Sequence, residues 1–144
     1  MTILISACLL GENCKYNGGN NLHPELAKLR KDHRVIPVCP EVLGGLPTPR
    51  VPAEIVHGVV MNRAGVSVDE AFRVGAGRAL ALAKENKPDL IILQSRSPSC
   101  GVGRVYDGSF TGRLVSGNGI FAQMAMEAGF SVVDAEEWET SVRA

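Results

Sequence analysis

The sequence lacks an excess of either charge, because 15 lysine and arginine residues balance 15 aspartate and glutamate residues. Proteins that bind polyanionic nucleic acid usually carry surplus cations, so a nucleic-acid partner is not expected and a small ligand is. No apolar run approaches the roughly 20 residues that a membrane-spanning helix needs. No basic segment precedes the short apolar run at the N-terminus, as a signal peptide would require. These absences favour a cytoplasmic protein that does not act at a membrane.

The four cysteines form no Cys-x-x-Cys pair, which weighs against a zinc ribbon and against a thioredoxin-type redox site. Disulfides rarely persist in a reducing cytoplasm, so each cysteine is an apolar filler, a metal ligand or a catalyst. His23, His33 and His57 lie in polar surroundings that are typical of solvated surface positions. Any metal site is therefore expected to use cysteines that are distant in sequence.

What the sequence does contain is an alternation of short apolar strands with helices. Its 144 residues, 45% of them apolar, suit a single domain spanning residues 1–144. Strands are predicted at residues 2–7, 35–38, 90–93 and 131–133, with a minor hairpin arm at 55–61. Helices are predicted after Pro24, from a capping box at Ser67–Glu70 to Asn86, and over 120–128, whereas the proline-rich segment 40–52 is predicted to be an irregular loop. This order predicts an α/β, Rossmann-like domain of three layers, with a mostly parallel sheet and helices on both faces.

Three of the cysteines follow predicted strands. Cys8 and Cys39 come directly after the first two strands, and Cys100 lies seven residues after the strand at 90–93. A lone buried cysteine is usually an apolar filler, but the carboxyl ends of parallel strands meet at one sheet edge, so we expect one shared site. An iron–sulfur cubane usually takes four cysteines, and with three of them one iron keeps an open position for substrate. Cys14, in a glycine-bearing loop, is the less favoured fourth ligand.

Polar residues adjoin two of these cysteines. Glu41 is two residues from Cys39 and should face the same crevice, where acid–base work and a solvated loop position are equally favoured interpretations. Arg96, Ser97 and Ser99 crowd the approach to Cys100 and predict a polar ring or an anion site.

A Gly-Asn-Gly turn around Asn118 precedes the last predicted helix. The free amides at such a helix start could hold a phosphate, with Arg50, Arg96 or Arg104 adding positive charge. We therefore expect Asn118 and Arg50 near a substrate.

Five ordered motifs also carry a resemblance to a known family. They are Ser6-Ala-Cys8-Leu-Leu-Gly11, Tyr16-Asn-Gly18-Gly19, Val38-Cys39-Pro-Glu41 through Gly44-Gly45-Leu-Pro-Thr-Pro-Arg50, Ser97-Pro-Ser-Cys100-Gly101 and Tyr106-Asp-Gly108. Together they resemble the DUF523 family, whose best-understood members are the thiouracil desulfurases. The resemblance covers nearly the whole chain, from residue 1 to about residue 133.

The resemblance implies a [4Fe–4S] cluster on Cys8, Cys39 and Cys100, with the fourth iron free. It implies non-redox transfer of sulfur to that iron from 2- or 4-thiouracil, or from the corresponding nucleoside or nucleotide. Glu41 and Ser97 are then expected to assist by proton transfer and substrate orientation.

Three positions depart from the family pattern, and two other kinds of protein remain open. Gln94 stands where a lysine is usual, Asn17 where an aspartate is usual, and Phe121 where a small polar residue is expected. Each departure could change substrate preference. The alternatives are a metal-free sulfur carrier with a persulfide on a cysteine, and an iron–sulfur protein without enzymatic activity.

Overall fold

The computed structural model of the protein describes residues 1–139. Its elements in chain order are β1 (Thr2–Ser6), a 3-10 turn (Ala7–Leu10), α1 (Pro24–Ala27), a second 3-10 turn (Lys28–Lys31), β2 (Arg34–Val38), α2 (Pro40–Leu43), β3 (Ala53–Val56), β4 (Val59–Asn62), α3 (Asp69–Asn86), β5 (Leu90–Leu93), β6 (Arg104–Tyr106), β7 (Leu114–Ser116), α4 (Ile120–Glu127) and β8 (Val132–Asp134). None of the helices in this range is long and apolar enough to cross a membrane.

A four-stranded parallel sheet organises the protein, with the strand order β2-β1-β5-β8. The predicted α/β class is confirmed, and so is the parallel sheet with helices on both faces. Strand β2 lies at one edge, as Pro37 within it predicted, since proline cannot donate to a neighbouring strand. Two antiparallel hairpins, β3–β4 and β6–β7, stand apart from this sheet.

The hydrophobic core lies on both sides of the sheet, because successive strand residues point to opposite faces. Leu4, Ile91 and Leu93 pack against α3 and α4, in a cluster that includes Ala79 and Phe121. On the other face, Ile3, Ile5, Leu90 and Ile92 pack with the first 3-10 turn, Leu26 of α1, and Trp138. Burial on both faces explains why β1 and β5 are continuous apolar runs instead of alternating ones.

Two local predictions are wrong. Residues 40–43, predicted to be irregular, form the one-turn helix α2, with Pro40 at its first position, where a missing N–H does no harm. The predicted capping box also fails, because α3 begins at Asp69 without a side-chain cap. Ser67 instead forms a β-bridge with Met61, which keeps it in the extension of the β3–β4 hairpin.

Glycine allows α2 to pack closely against α3. A β-carbon at Gly75 of α3 would overlap the carbonyl oxygen of Pro40, and one at Gly44 would overlap the carbonyl oxygen of Ala71. The two helices therefore meet backbone to backbone. This contact sets the position of the segment that joins Cys39 to α2.

The close contact gives a matched pair of stability predictions in α3. Gly75→Ala should lower the free energy of unfolding by about 1–3 kcal/mol or more, because the added methyl group forces the two helices apart. Gly77→Ala has no neighbouring atom within 4 Å and should raise it by about 0.5–1 kcal/mol, since alanine loses less backbone entropy in a helix. Urea unfolding of both variants checks this. Equal stabilities would contradict the observed helix contact.

Candidate functional site

All four cysteines are free thiols and line a single cavity of about 880 Å³. Cys8 lies in the 3-10 turn directly after β1, Cys39 directly after β2, and Cys100 in the loop after β5. The structure therefore brings together the three strand-end cysteines that the sequence predicts to share a site. Cys14 reaches the same cavity from the loop that follows the first 3-10 turn.

The thiols of Cys8, Cys14 and Cys39 form a hydrogen-bonded group. A hydrogen bond from Cys14 is the main cause that lowers the pKa of Cys39 to about 7, with the backbone N–H of Val42 and the nearby Arg50 adding to the effect. The same donor lowers the pKa of Cys8, assisted by Asn21, whose Nδ2 donates to the Cys8 sulfur at 3.6 Å. The pKa of Cys14 is raised, because its proton is held in these bonds.

Cys100 is in a different environment. Burial raises the pKa of its thiol to about 12, although hydrogen bonds from Ser6 and Ser99 oppose that rise. Coordination by a metal removes such a proton, since the thiolate is the ligand. Cys100 is therefore suited to a metal that is already bound by the other cysteines.

Ser97 holds the loop that carries Cys100. Its hydroxyl oxygen accepts hydrogen bonds from the backbone N–H of Cys100 at 2.7 Å and of Ser99 at 3.2 Å. Its carbonyl oxygen accepts from Gly101 at 2.9 Å. Ser97 also lines the cavity, so its O–H remains available to a bound molecule. Its predicted part in substrate orientation stays a prediction.

Glu41 lies at the cavity wall between a serine and an arginine. Its Oε2 accepts a hydrogen bond from Ser99 Oγ at 3.1 Å, and its Oε1 lies 3.4 Å from Nη2 of Arg50. Its side chain is 18% exposed. Burial raises the pKa of this carboxyl group, opposed by the positive charge of Arg50 and by the hydrogen bond from Ser99. A carboxyl group with a raised pKa beside the ligand cysteines is suited to proton transfer.

Ser99 and Arg50 contact protein groups where the sequence suggested substrate contacts. Ser99 is fully buried and does not line the cavity, so it reaches Glu41 and the Cys100 sulfur instead. The Arg50 side chain is 8% exposed. Its Nη1 donates to the Pro47 carbonyl and to Thr48, and its Nη2 donates to the Cys14 carbonyl at 2.9 Å. Arg50 thus joins the Cys14 loop to Glu41.

Arg96 lines the cavity, but its guanidinium group is already paired. Nη2 of Arg96 lies 2.9 Å from Oε1 of Glu136, and the arginine side chain is 37% exposed. An exposed pair of this kind is weak and exchanges readily with water. A substrate contact by Arg96 stays a prediction.

The anion site predicted at the start of α4 is wrong. The amides of Gly119, Ile120 and Phe121 donate to carbonyl oxygens of residues 98–101 at 2.8–2.9 Å. Asn118 lies outside the cavity lining, where its side chain accepts from the backbone N–H of Gly103 and donates to Gln123. The loop that carries Cys100 folds back onto this helix start and occupies its donors.

The three departures from the family pattern fall in different places. Gln94 lines the cavity, so it can influence what binds there. Asn17 lies outside the lining, and its Oδ1 accepts from the backbone N–H of Gly19 at 2.9 Å. Phe121 is fully buried in the core beside the sheet. Of the three positions, only Gln94 faces the cavity.

Sequence reasoning missed several residues that complete the site. Ser6 and Asn21 contact cysteine sulfurs, and Tyr106 and Phe110 form part of the far cavity wall. Ser6 ends a predicted strand directly before Ala7 and Cys8, a position that could have suggested it. The other three have no local signal, because long-range packing of loops and hairpins brings them to the cavity.

The residues present fit an iron–sulfur cluster. Three soft sulfur donors line one cavity, and each of their sulfur atoms receives at least one hydrogen bond from the protein. Within residues 1–139, no three ligating side chains are arranged around a single metal ion. In a cubane each thiolate binds its own iron, so cluster ligands are spaced around a larger group than one ion.

The comparisons with known proteins agree with this geometry. A model of the 2-thiouracil desulfurase family matches residues 3–137. The chain belongs to this family. A solved structure of a [4Fe-4S]-dependent thiouracil desulfidase, TudS, superposes with a TM-score of 0.91 at 36% identity, covering 99% of this chain and 95% of that one. The uncharacterized protein YbbK of Bacillus subtilis (strain 168) is 38% identical over 145 residues, covering 94% of this chain and 96% of YbbK.

Family membership gives the cavity a chemical context. The thiouracil desulfurase family is the one that the sequence motifs resemble, so that resemblance is confirmed. The five motifs that carried the resemblance contain Cys8, Cys39, Cys100, Glu41 and Ser97. All five residues line the cavity.

Proposed function

We propose that the protein is a [4Fe–4S]-dependent desulfurase, which removes sulfur from a thiolated pyrimidine and leaves the corresponding oxo-pyrimidine. One observation carries this proposal: three strand-end cysteines and a buried carboxylate converge on one cavity in a chain of the 2-thiouracil desulfurase family. Cys8, Cys39 and Cys100 are the proposed ligands. The proposed working unit is the single domain predicted over residues 1–144, in a reducing cytoplasm where free thiols persist.

The net reaction is a hydrolysis. Thiouracil and water give uracil and hydrogen sulfide, with no change in oxidation state. When bound, the cluster supplies an iron with an open position, a soft Lewis acid suited to thiocarbonyl sulfur. The protein groups around the cavity have to orient the ring and move protons.

Glu41 is the proposed proton-transfer group. The carboxylate accepts a proton from the water that adds to the ring carbon, and then returns it as the carbon–sulfur bond breaks. Only Oε2 has a short hydrogen bond, to Ser99, because the contact between Oε1 and Arg50 is 3.4 Å long. Oε1 therefore keeps an acceptor position for water. Ser97, with its oxygen fixed by two backbone amides, is the proposed donor that orients the substrate ring.

The proposed substrate is a small molecule. A cavity of about 880 Å³ has room for a cluster together with a pyrimidine or a somewhat larger derivative. A net charge of zero supports a free base, nucleoside or nucleotide over a thiolated tRNA.

Reconstitution under anaerobic conditions tests the proposal. Protein loaded with iron and sulfide should release sulfide from 2-thiouracil or 4-thiouracil and form uracil in equal amounts, as measured by colorimetry and chromatography. Cluster-free protein, prepared with a chelator, is the control and should be inactive.

Two outcomes would contradict the proposal, and each points to one alternative. Equal sulfide release by cluster-free protein would indicate a metal-free persulfide carrier. A stable visible iron–sulfur absorption band without turnover of any thiolated pyrimidine base, nucleoside or nucleotide would indicate an iron–sulfur protein that is not this enzyme.

A further inference from the structure

Cys14 is the thiol in the cavity that the proposed function does not use. It contacts the sulfur atoms of both Cys8 and Cys39, and hydrogen bonds from its thiol act on both. Its loop is held in place, because Arg50 Nη2 donates to the Cys14 carbonyl at 2.9 Å and the Arg50 N–H donates to Tyr16 O at 2.6 Å. A residue held this firmly against two proposed ligands affects what those ligands bind.

The geometry disfavours Cys14 as a fourth ligand. The four irons of a cubane sit at separate corners, so the thiolates that bind them diverge from one another. A sulfur in hydrogen-bond contact with two ligand sulfurs lies between two corners and does not occupy another. Cys14 fits a donor to the ligands better than it fits a ligand.

Other donors around the ligands form a set to which Cys14 belongs. Asn21 Nδ2 donates to Cys8 at 3.6 Å, and Ser99 Oγ lies 3.6 Å from the Cys100 sulfur. For Cys39, the other hydrogen bond comes from the backbone N–H of Val42. Cys14 has the one side chain that donates to Cys39.

We infer that Cys14 is a positioning residue, whose S–H group donates a hydrogen bond to the ligand thiolates and so stabilises the cluster and sets its reduction potential. The inference rests on the proposed cluster at Cys8, Cys39 and Cys100. A donor to a ligand sulfur draws negative charge away from the cluster and favours the reduced, more negative state. It also makes the lone pairs of that sulfur less available to oxidants.

Four variants test this on anaerobically reconstituted protein. Cys14→Ala removes the donor, Cys14→Ser keeps one, and Asn21→Ala removes the second donor to Cys8. Asn13→Ala is the matched control, because Asn13 accepts from Asn20 in the same loop and this bond involves no sulfur. The measurements are the midpoint potential of the cluster and the rate at which its visible absorbance bleaches in air.

Cys14→Ala and Asn21→Ala should both move the midpoint potential to more negative values. Both should bleach roughly two- to tenfold faster, the range that the net free energy of one hydrogen bond corresponds to. Cys14→Ser and Asn13→Ala should stay close to the wild type. Circular dichroism of each variant reports on folding, and Asn21→Ala keeps the test decisive if Cys14→Ala folds poorly.

Two results would overturn the inference. Unchanged potential and bleaching in Cys14→Ala and Asn21→Ala would mean that these donors do not act on the cluster. Iron loss in Cys14→Ala as complete as in a Cys39→Ala variant would mean that Cys14 is a ligand. Wild-type protein that binds the cluster without turning over thiouracil would overturn the proposed function alone, since neither measurement depends on turnover.

Discussion

Alanine at Cys8, at Cys39 or at Cys100 is expected to abolish iron retention, and sulfide release from thiouracil with it. Each of these cysteines is the one thiol contributed by its own strand end, and all three line the cavity. Two remaining thiolates cannot hold a cubane against loss to solvent, since such clusters are held by cysteine thiolates at nearly every iron. Iron and acid-labile sulfide per chain after anaerobic reconstitution measure the effect.

The control for these three variants is Cys14→Ala, handled entirely without air. It should keep about four irons per chain, the content of one [4Fe–4S] cluster. Circular dichroism of the cluster-free variants separates ligand loss from misfolding, a concern mainly for Cys100, which is 5% exposed and packs in the core. Full iron retention in any of the three strand-end variants would refute the proposed ligand set.

The main features of the fold could be predicted from the sequence because the sheet is buried on both faces. Such strands are unbroken apolar runs, and β5 lies where the run Leu90–Leu93 predicted it. The strand-end rule then placed three cysteines at one edge of the sheet before any coordinates were known. These predictions depend on the sheet, which long-range packing reinforces.

Predictions that rested on short local patterns were less secure. The pattern at Ser67–Glu70 is typical of a capping box, but pairing of Ser67 with Met61 outweighed it. The hairpin β6–β7 has strands of three residues, too short to show alternation. Helix α2 has only four residues, and its packing against α3 stabilises it in a segment rich in proline.

The same distinction applies to the site. Glu41 could be predicted because two residues in sequence keep it near Cys39. The roles of Ser99 and Asn118 could not, since they depend on how the loop after β5 folds back. That loop places its carbonyl groups over the start of α4 and directs Ser99 toward Glu41. No short pattern around either residue carries this information.

The protein groups at the cavity connect the two halves of the proposed chemistry. Ser99 contacts both Glu41 and the Cys100 sulfur, and Arg50 contacts both Glu41 and the Cys14 carbonyl. The carboxylate is thereby fixed relative to two of the cysteine-bearing segments. A proton-transfer group needs this kind of fixed placement, because efficiency depends on reaching the reacting atoms at hydrogen-bond distance.

Glu41→Gln is therefore expected to leave the cluster intact and to lower the turnover of thiouracil by about 10²-fold or more, the usual contribution of a general acid or base. Glutamine keeps the shape of the side chain and an oxygen that accepts from Ser99, but it cannot take up and return a proton. Iron content and the visible absorption band should match the wild type, so that the loss appears in kcat alone.

Glu54→Gln is the matched control for this prediction. Glu54 also lines the cavity and is nearly buried, but its Oε1 accepts from the backbone N–H groups of Gly108 and Phe110. Its carboxylate therefore holds a loop, and its amide should slow turnover far less than the Glu41 change does. Ser99→Ala, which removes one hydrogen bond from Glu41 but keeps the carboxylate, should fall between them. Turnover by Glu41→Gln at the wild-type rate, with a normal iron spectrum, would show that Glu41 does not move the proton and that its contacts with Ser99 and Arg50 serve the loop alone.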